Sequence, residues 1–266
     1  MNARRKTAKS LMTLLLMAAM GAGACAAVAA PAGSQKKKKA SDEKAPQQQY
    51  EMGIVALRYG LPDEAIRYGQ AAVSLDPGYF NGWSLLGSAY FTKGEFAPAA
   101  EAYEKAASIK PGAADIQRYL GLSLVELGET ERAETALKKA FELEGDAESA
   151  FALGKLCYNA KRFEEALDYA LKSIKKDGKS PKAYNLKGVI LNQLGRYAEA
   201  AGSFQAGLVL APEDVGLQIN LGIAYINSGD PAKARSVLEA VLPKIEQDVL
   251  RKRIEDYLKS IKNDGK

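Results

Sequence analysis

Residues 83–111 read WSLLGSAYFTKGEFAPAAEAYEKAASIKP, and their spacing predicts two amphipathic helices folded back on each other. Trp83, Leu86, Gly87 and Tyr90 fall at i, i+3, i+4 and i+7, one face of a helix. Gly94 breaks the run, where a left-handed residue is needed to end a helix. The second helix carries Ala99, Tyr103 and Ala106 on one face and stops ahead of Pro111, because a proline disfavours helix in the residue before it. Gly87 costs roughly 1 kcal/mol relative to alanine inside a helix. Its presence is read as a close crossing, with Gly87 and Ala99 keeping bulky side chains out of the contact. A lone hairpin of this kind leaves an apolar face uncovered, so it implies neighbours.

Counting outward from Gly87, an in-helix glycine recurs at Gly53, Gly87, Gly121, Gly154, Gly188 and Gly222, at intervals of 34, 34, 33, 34 and 34. A small residue of the second helix keeps step at Ala65, Ala99, Ala133, Ala166, Ala200 and Ala234. The break between helices is Gly60, Gly94, Gly128, Gly195 and Gly229, with Lys161 the exception, and Pro77, Pro111 and Pro212 close three of the units. Two series sharing the same one-residue slip mark a repeat array. These positions resemble the tetratricopeptide repeat (TPR) family, most closely through Trp83, Leu86-Gly87, Tyr90, Ala99, Tyr103, Ala106 and Pro111. Glutamine replaces tryptophan in the first, third and sixth units, and Gly145 replaces proline in the third. The resemblance implies an all-α, right-handed superhelix of six helix-turn-helix repeats over 48–246. Leu250, Ile254, Tyr257, Leu258 and Ile261 then form one apolar stripe opposite Arg251, Lys252, Arg253, Glu255 and Asp256. That pattern predicts a capping helix over 247–262 that covers the exposed end of the array; a separate partner-binding helix is the alternative.

Ahead of the repeats, residues 1–24 read as an export signal: Arg4, Arg5, Lys6 and Lys9 lead into an apolar stretch from Leu11 to Ala24, short for a membrane span. An uncut membrane anchor is the competing reading. Ala22-Gly23-Ala24-Cys25 resembles a bacterial lipobox, which implies lipidation of Cys25. Ala26 after it implies outer-membrane sorting, so the protein is expected at the periplasmic face of that membrane. Ordinary cleavage near Ala24 or Ala29, giving a soluble periplasmic or secreted protein, is the alternative. Residues 25–47 lack apolar periodicity and are rich in Ala, Pro, Ser, Gln and Lys, so a disordered tether is expected there. Lys36–Lys39 would be a solvated part of it, with contact to anionic headgroups the alternative.

Composition narrows the chemistry. Four of the 37 basic residues precede Cys25 and no acid does, which leaves 33 basic against 32 acidic residues and argues against a nucleic-acid partner. The chain has no histidine, which removes imidazole acid–base chemistry, histidine metal ligands and histidine-activated nucleophiles. Cys25 and Cys157 are the two cysteines, too few for a multi-cysteine zinc site. Cys157 falls on an inward helix face and reads as a small buried apolar residue. Gly178-Lys179-Ser180 lacks the glycine that a phosphate-binding loop needs five residues earlier, where Ser173 stands. Glu164-Glu165 are adjacent on a helix and do not face each other. No enzyme activity, cofactor or metal is expected.

The family resemblance implies that the first helix of each unit lines a concave groove for a protein or peptide partner. The matching positions hold Tyr50, Phe91, Tyr119, Phe151, Tyr158, Asn159, Asn185, Asn192, Gln193, Asn220 and Asn227, with Ser84, Ser88 and Thr92 beside them. Aromatic side chains give apolar pockets, and amides both donate to and accept from a peptide backbone. Tyr119 and Tyr158 could equally pack between helices. The carboxylate clamp of chaperone-type TPR domains is missing, since its positions hold Tyr50, Ile54, Leu85, Asp115 and Tyr119. The layout as a whole is similar to the pilotin-type lipoproteins of type IV pilus biogenesis, which implies a role in secretin assembly. A TPR adaptor for cell-wall enzymes and a structural envelope protein are the alternatives.

Overall fold

The computed structural model describes residues 34–263, with side chains described from 45 to 260. The expected signal at 1–24, Cys25 and the side chain of Ile261 lie outside those residues. Among the described residues every regular element is helical: α1 (Ser34–Arg58), α2 (Pro62–Leu75), α3 (Phe80–Lys93), α4 (Phe96–Ile109), α5 (Ala114–Glu126), α6 (Thr130–Glu144), α7 (Ala147–Asn159), α8 (Phe163–Lys176), α9 (Pro181–Gln193), α10 (Tyr197–Leu210), α11 (Val215–Asn227), α12 (Pro231–Val241), a 3-10 turn (Leu242–Lys244) and α13 (Asp248–Asn263). Two compact units divide at Pro111–Gly112. The first holds the α1–α2 and α3–α4 hairpins. The second holds α5–α6, α7–α8, α9–α10 and α11–α12, followed by α13.

Each hairpin turns the same way, for the same physical reason. Gly60, Gly94, Gly128, Gly195 and Gly229 all have φ between 67° and 80°, and Lys161 adopts 60°. A positive φ is the left-handed conformation that ends a helix and turns the chain back. The next residue then donates its N–H to a carbonyl five residues earlier, as in Leu61 to Ala56, Glu95 to Tyr90, Glu129 to Leu124, Arg162 to Cys157, Arg196 to Leu191 and Asp230 to Tyr225, all at 2.8–2.9 Å. These are the long bonds of a Schellman cap, repeated six times. Gly145, standing where other units have proline, is a seventh left-handed residue at φ 61° and caps α6. The loops before α3 and α11 close in a second common way. Trp83 Nε1 donates to the Pro77 carbonyl at 2.8 Å, and Gln218 Nε2 donates to the Pro212 carbonyl at 2.7 Å. Glutamine at the tryptophan position of the sixth repeat therefore keeps the hydrogen bond and gives up the ring.

The phased alanines are fully buried: Ala65, Ala99, Ala133, Ala166, Ala200 and Ala234 all have zero exposure. The phased glycines do not share one cause. A methyl added at Gly87 would lie 2.6 Å from the Tyr103 ring, so a bulky side chain does sit over this glycine, contrary to the crossing inferred for Gly87 and Ala99. Leu137, Phe204 and Leu238 fill the same space over Gly121, Gly188 and Gly222. Close backbone approach is seen at Gly121, with the Ala133 carbonyl 3.2 Å from the added-methyl position, and at Gly154, with the Ala166 carbonyl at 3.4 Å.

Two further points concern the ends. The tether expected to reach Gln47 is helical from Ser34 onward. Its lysines, alanines and acids are adequate helix formers even without an apolar stripe, and Pro46 lies inside α1. At the other end, the capping stretch expected at 247–262 is α13. Ile254 and Leu258 are buried against Ile219, Leu238, Val241 and Ile245, with Leu250 and Tyr257 partly covered. Cys157 is a free, fully buried thiol, and burial pushes its pKa up to about 11. Gly178-Lys179-Ser180 lies in the turn between α8 and α9, where the Asp177 carboxylate accepts the Lys179 N–H at 3.0 Å.

Candidate functional site

In the first unit the expected groove residues are drawn into packing. Tyr50, on α1, meets Tyr79 edge-on at 6.2 Å between ring centres. Phe91, on α3, meets Phe96 across the helix turn at 5.5 Å. The Tyr103 hydroxyl donates to Ser88 Oγ at 3.3 Å, and Thr92 Oγ1 donates to the Ser88 carbonyl at 2.7 Å. Ser84 is half-buried on the same helix. A shallow cleft of about 320 Å³ does exist in this unit, but it lies between α2 and α4 and is lined by Val73, Trp83, Tyr90, Pro98, Glu101 and Lys105 among others. None of the residues named for the groove lines it. Trp83 and Tyr90 were legible as a helix face, but nothing in the sequence marked that face as hollow.

The second unit is different. Its α7 and α9 helices lie side by side and enclose a cleft of about 320 Å³, lined by Phe151, Lys155, Tyr158, Asn159, Lys182, Asn185, Leu186 and Val189. Four of the expected groove residues, Phe151, Tyr158, Asn159 and Asn185, are thus brought together. Phe151 and Tyr158 are one i, i+7 pair on α7, so two rings stand two turns apart on the same wall. Tyr158 is braced from behind by Phe163 at 5.8 Å. Leu186, on α9, forms part of the floor. It reaches within 3.1 Å of the methyl position that Gly154 lacks, so the glycine lets this leucine sink.

The amides continue the surface onto α11. Asn220 Nδ2 donates to Asn185 Oδ1 at 2.8 Å, joining the first helices of two neighbouring repeats. One turn-pair further along the same helices stand Asn192 and Asn227, and Asn192 Oδ1 is buried with no hydrogen-bond partner. Gln193 and Asn227 are exposed. Tyr119 lies apart, on α5, with the Arg118 guanidinium over its ring at 5.2 Å. Arg118 is itself held by Asp146 at 3.4 Å and Glu148 at 3.2 Å. Desolvation pulls the Arg118 pKa down, but the two carboxylates outweigh it and the net shift is upward.

Two lysines mark the cleft electrostatically. Lys155 lies over the Phe151 ring at 6.0 Å, and Lys182 lines the opposite wall. Both are exposed and no carboxylate is among the lining residues. Sequence reasoning missed both, because each reads as an ordinary solvated residue until α7 and α9 are set side by side. Among the described residues no cluster of acidic and cysteine side chains could hold a metal ion, and no helix is long and apolar enough to cross a membrane.

Comparison with known proteins follows the same lines. Residues 4–240 match the profile of the family described as the cilia and flagella-associated protein 70 C-terminal domain. The anaphase-promoting complex subunit cut9 of Schizosaccharomyces pombe is 25% identical over 219 residues, which cover 77% of this chain and 32% of that protein. The chain thus spans about a third of that relative's length. Among solved structures, the pilF protein of Pseudomonas aeruginosa superposes with a TM-score of 0.69 at 18% identity, covering 81% of this chain and 99% of its own. YrrB, described as a TPR protein with an unusual peptide-binding site, gives 0.59 at 21% identity, covering 71% and 97%. At these identities the structural likeness is one of fold.

Proposed function

We propose that this chain, which belongs to the family of the cilia and flagella-associated protein 70 C-terminal domain and is built of tetratricopeptide hairpins, is a non-enzymatic scaffold that holds a segment of another protein in the cleft between α7 and α9. The observation that carries this reading is the convergence of Phe151, Tyr158, Asn159 and Asn185 on one open cleft, with Asn220 bonded to Asn185 beside it. Aromatic walls take an apolar side chain, and the amides match the donors and acceptors of a main chain. A bound segment of this kind needs no catalytic group.

The cellular setting is part of the same proposal. The basic start, the apolar stretch and the lipobox-like residues before Cys25 support export and lipidation, with the protein facing the periplasm from the outer membrane. The layout similar to pilotin-type lipoproteins, together with the fold shared with pilF, supports a place in type IV pilus and secretin assembly. The test is in-cell photocrosslinking from Tyr158 and Asn192, with Val209 as an exposed control on α10. Secretin subunits captured at the first two positions and not at the third are the expected result. Cell-wall enzymes captured there instead would move the role to a wall-enzyme adaptor, and equal capture at all three would remove the cleft from the account. Fatty-acid labelling that is lost in Cys25→Ala is the matching test of the anchor.

A further inference from the structure

We infer that the α7–α9 cleft selects an acidic segment: an aromatic or large aliphatic side chain flanked by aspartate or glutamate. This rests on the reading of the cleft as a segment-binding site and adds what the segment must look like. Three observations lead there. First, a volume of about 320 Å³ is at the small end of ligand-binding pockets, which run to about 1,000 Å³. It suits one inserted side chain, with the rest of the segment lying across the rim. Second, the interior surface that receives this side chain is made of Phe151, Tyr158, Leu186 and Val189, apolar and mostly aromatic or branched. Third, the rim charge is of one sign.

That last point decides the partner's chemistry. Lys155 and Lys182 stand on opposite walls, and neither makes an ion pair with any described residue. Several charged side chains of the unit are matched within it, among them Arg118 with Asp146 and Glu148, Arg162 with Glu134 and Glu165, Lys172 with Asp168 and Lys138 with Glu134. Two uncompensated ammonium groups beside an apolar hollow, with no carboxylate lining it, favour carboxylates on the visitor and repel a basic one. Asn185 fixes the position of the main chain between them. Its Oδ1 is engaged by Asn220, which leaves its amide N–H groups for a carbonyl of the bound segment.

The test uses the full chain and three labelled peptides in a glycine–serine background, read by fluorescence anisotropy. One has a central phenylalanine flanked by aspartates, one the same phenylalanine flanked by lysines, and one an alanine between aspartates. The aspartate–phenylalanine peptide is expected to bind at least about tenfold more tightly than either of the others, and to weaken as salt rises through the range that screens exposed charges. The double variant Lys155→Glu with Lys182→Glu alters two exposed positions. It should reverse the preference and bind the lysine-flanked peptide, a gain that misfolding cannot produce. If both phenylalanine peptides bind alike and Phe151→Ala weakens both, the acidic preference is wrong and the cleft stands. If neither phenylalanine peptide binds, or Phe151→Ala leaves their binding unchanged, the cleft reading fails along with the preference.

Discussion

At the scale of single residues, the repeat solves one packing problem in two ways. Sixteen positions after four of the six phased glycines stands the residue that fills the missing methyl: Tyr103 over Gly87, Leu137 over Gly121, Phe204 over Gly188 and Leu238 over Gly222. In the first and fourth units that position is Gly69 or Ala170, too small for the task. There a leucine from the following repeat comes in instead, Leu85 over Gly53 and Leu186 over Gly154. The glycines are therefore needed for side-chain volume at least as much as for backbone approach. Replacing Gly87 by alanine should gain about 1 kcal/mol of helix propensity but force apart a contact of 2.6 Å with the Tyr103 ring. Overpacking of that kind costs about 1–3 kcal/mol, so a net loss of about 1 kcal/mol is expected in urea unfolding. Gly202 on α10 is exposed with nothing within 4 Å of its methyl position. Gly202→Ala should therefore stabilise by up to about 1 kcal/mol. Equal responses at the two sites would contradict the packing account. Lys161 poses the converse case. It is the one non-glycine residue at positive φ among the described residues, at 60°. An L-residue is strained there by about 1–2 kcal/mol, and part of the relief is offset by glycine's freedom in the unfolded chain. Lys161→Gly should raise stability by about 0.5–1 kcal/mol, seen as a higher urea midpoint with an unchanged slope.

At the scale of elements, the fourth hairpin is held to the third by charge as well as by packing. Arg162, the residue just before α8, reaches Glu134 on α6 at 2.6 Å and Glu165 at 3.0 Å, while Lys138 bonds Glu134 at 2.7 Å. The hydrogen bond from Arg162, helped by Lys138, lowers the Glu134 pKa from its usual 4.5 to about 2. A carboxylate depressed by folding stabilises the fold above its unfolded pKa and loses that contribution as pH falls through the folded value. The stabilisation is thus complete above about pH 4.5 and gone near pH 2. With Arg162 38% exposed, solvent screening reduces its size to about 1 kcal/mol. Melting curves between pH 5 and pH 2 should show Glu134→Gln less stable than the parent at the upper end and equal to it at the lower end. A constant gap across that range would rule the pair out as the source. The hairpins themselves were legible because each turn needs a left-handed residue and each crossing a small one, and both recur every 33 or 34 positions. The helical part of residues 34–47 was not, because propensity without an apolar stripe leaves no periodic trace, and a proline such as Pro46 is disfavoured inside a helix. The cleft was half legible. Its amides and rings could be assigned to first-helix positions, but its depth comes from Leu186 sinking beside Gly154, a contact between repeats. Phe91, Ser88 and Tyr50 show the other side of this: the same repeat positions, already occupied by partners within their own unit.

At the scale of the whole molecule, an array of hairpins is stable only if its last apolar face is covered, and α13 is placed to do this for the second unit. Ile254 and Leu258 bury themselves against Ile219 on α11, Leu238 and Val241 on α12, and Ile245 beyond the 3-10 turn. The opposite face of α13 carries Lys252, Arg253 and Glu255, of which the lysine and arginine are exposed, so the helix presents one dry side and one wet one. A helix kept for binding a partner would make the reverse demand, with its apolar stripe free. Truncating a buried leucine or isoleucine to alanine costs about 2–5 kcal/mol. The two are neighbours on one turn at the end of the unit, so their effects will overlap. The double variant Ile254→Ala with Leu258→Ala should cost about 3–5 kcal/mol, and its consequences should be ordered in space. Amide exchange should accelerate first in α13, next in α12 and α11, and least in α7 and α8, because stability in such an array passes between nearest neighbours. Peptide binding at the α7–α9 cleft should then persist under conditions where α13 has already lost protection. Unchanged exchange in α11 and α12 together with loss of a bound partner would instead make α13 a docking helix.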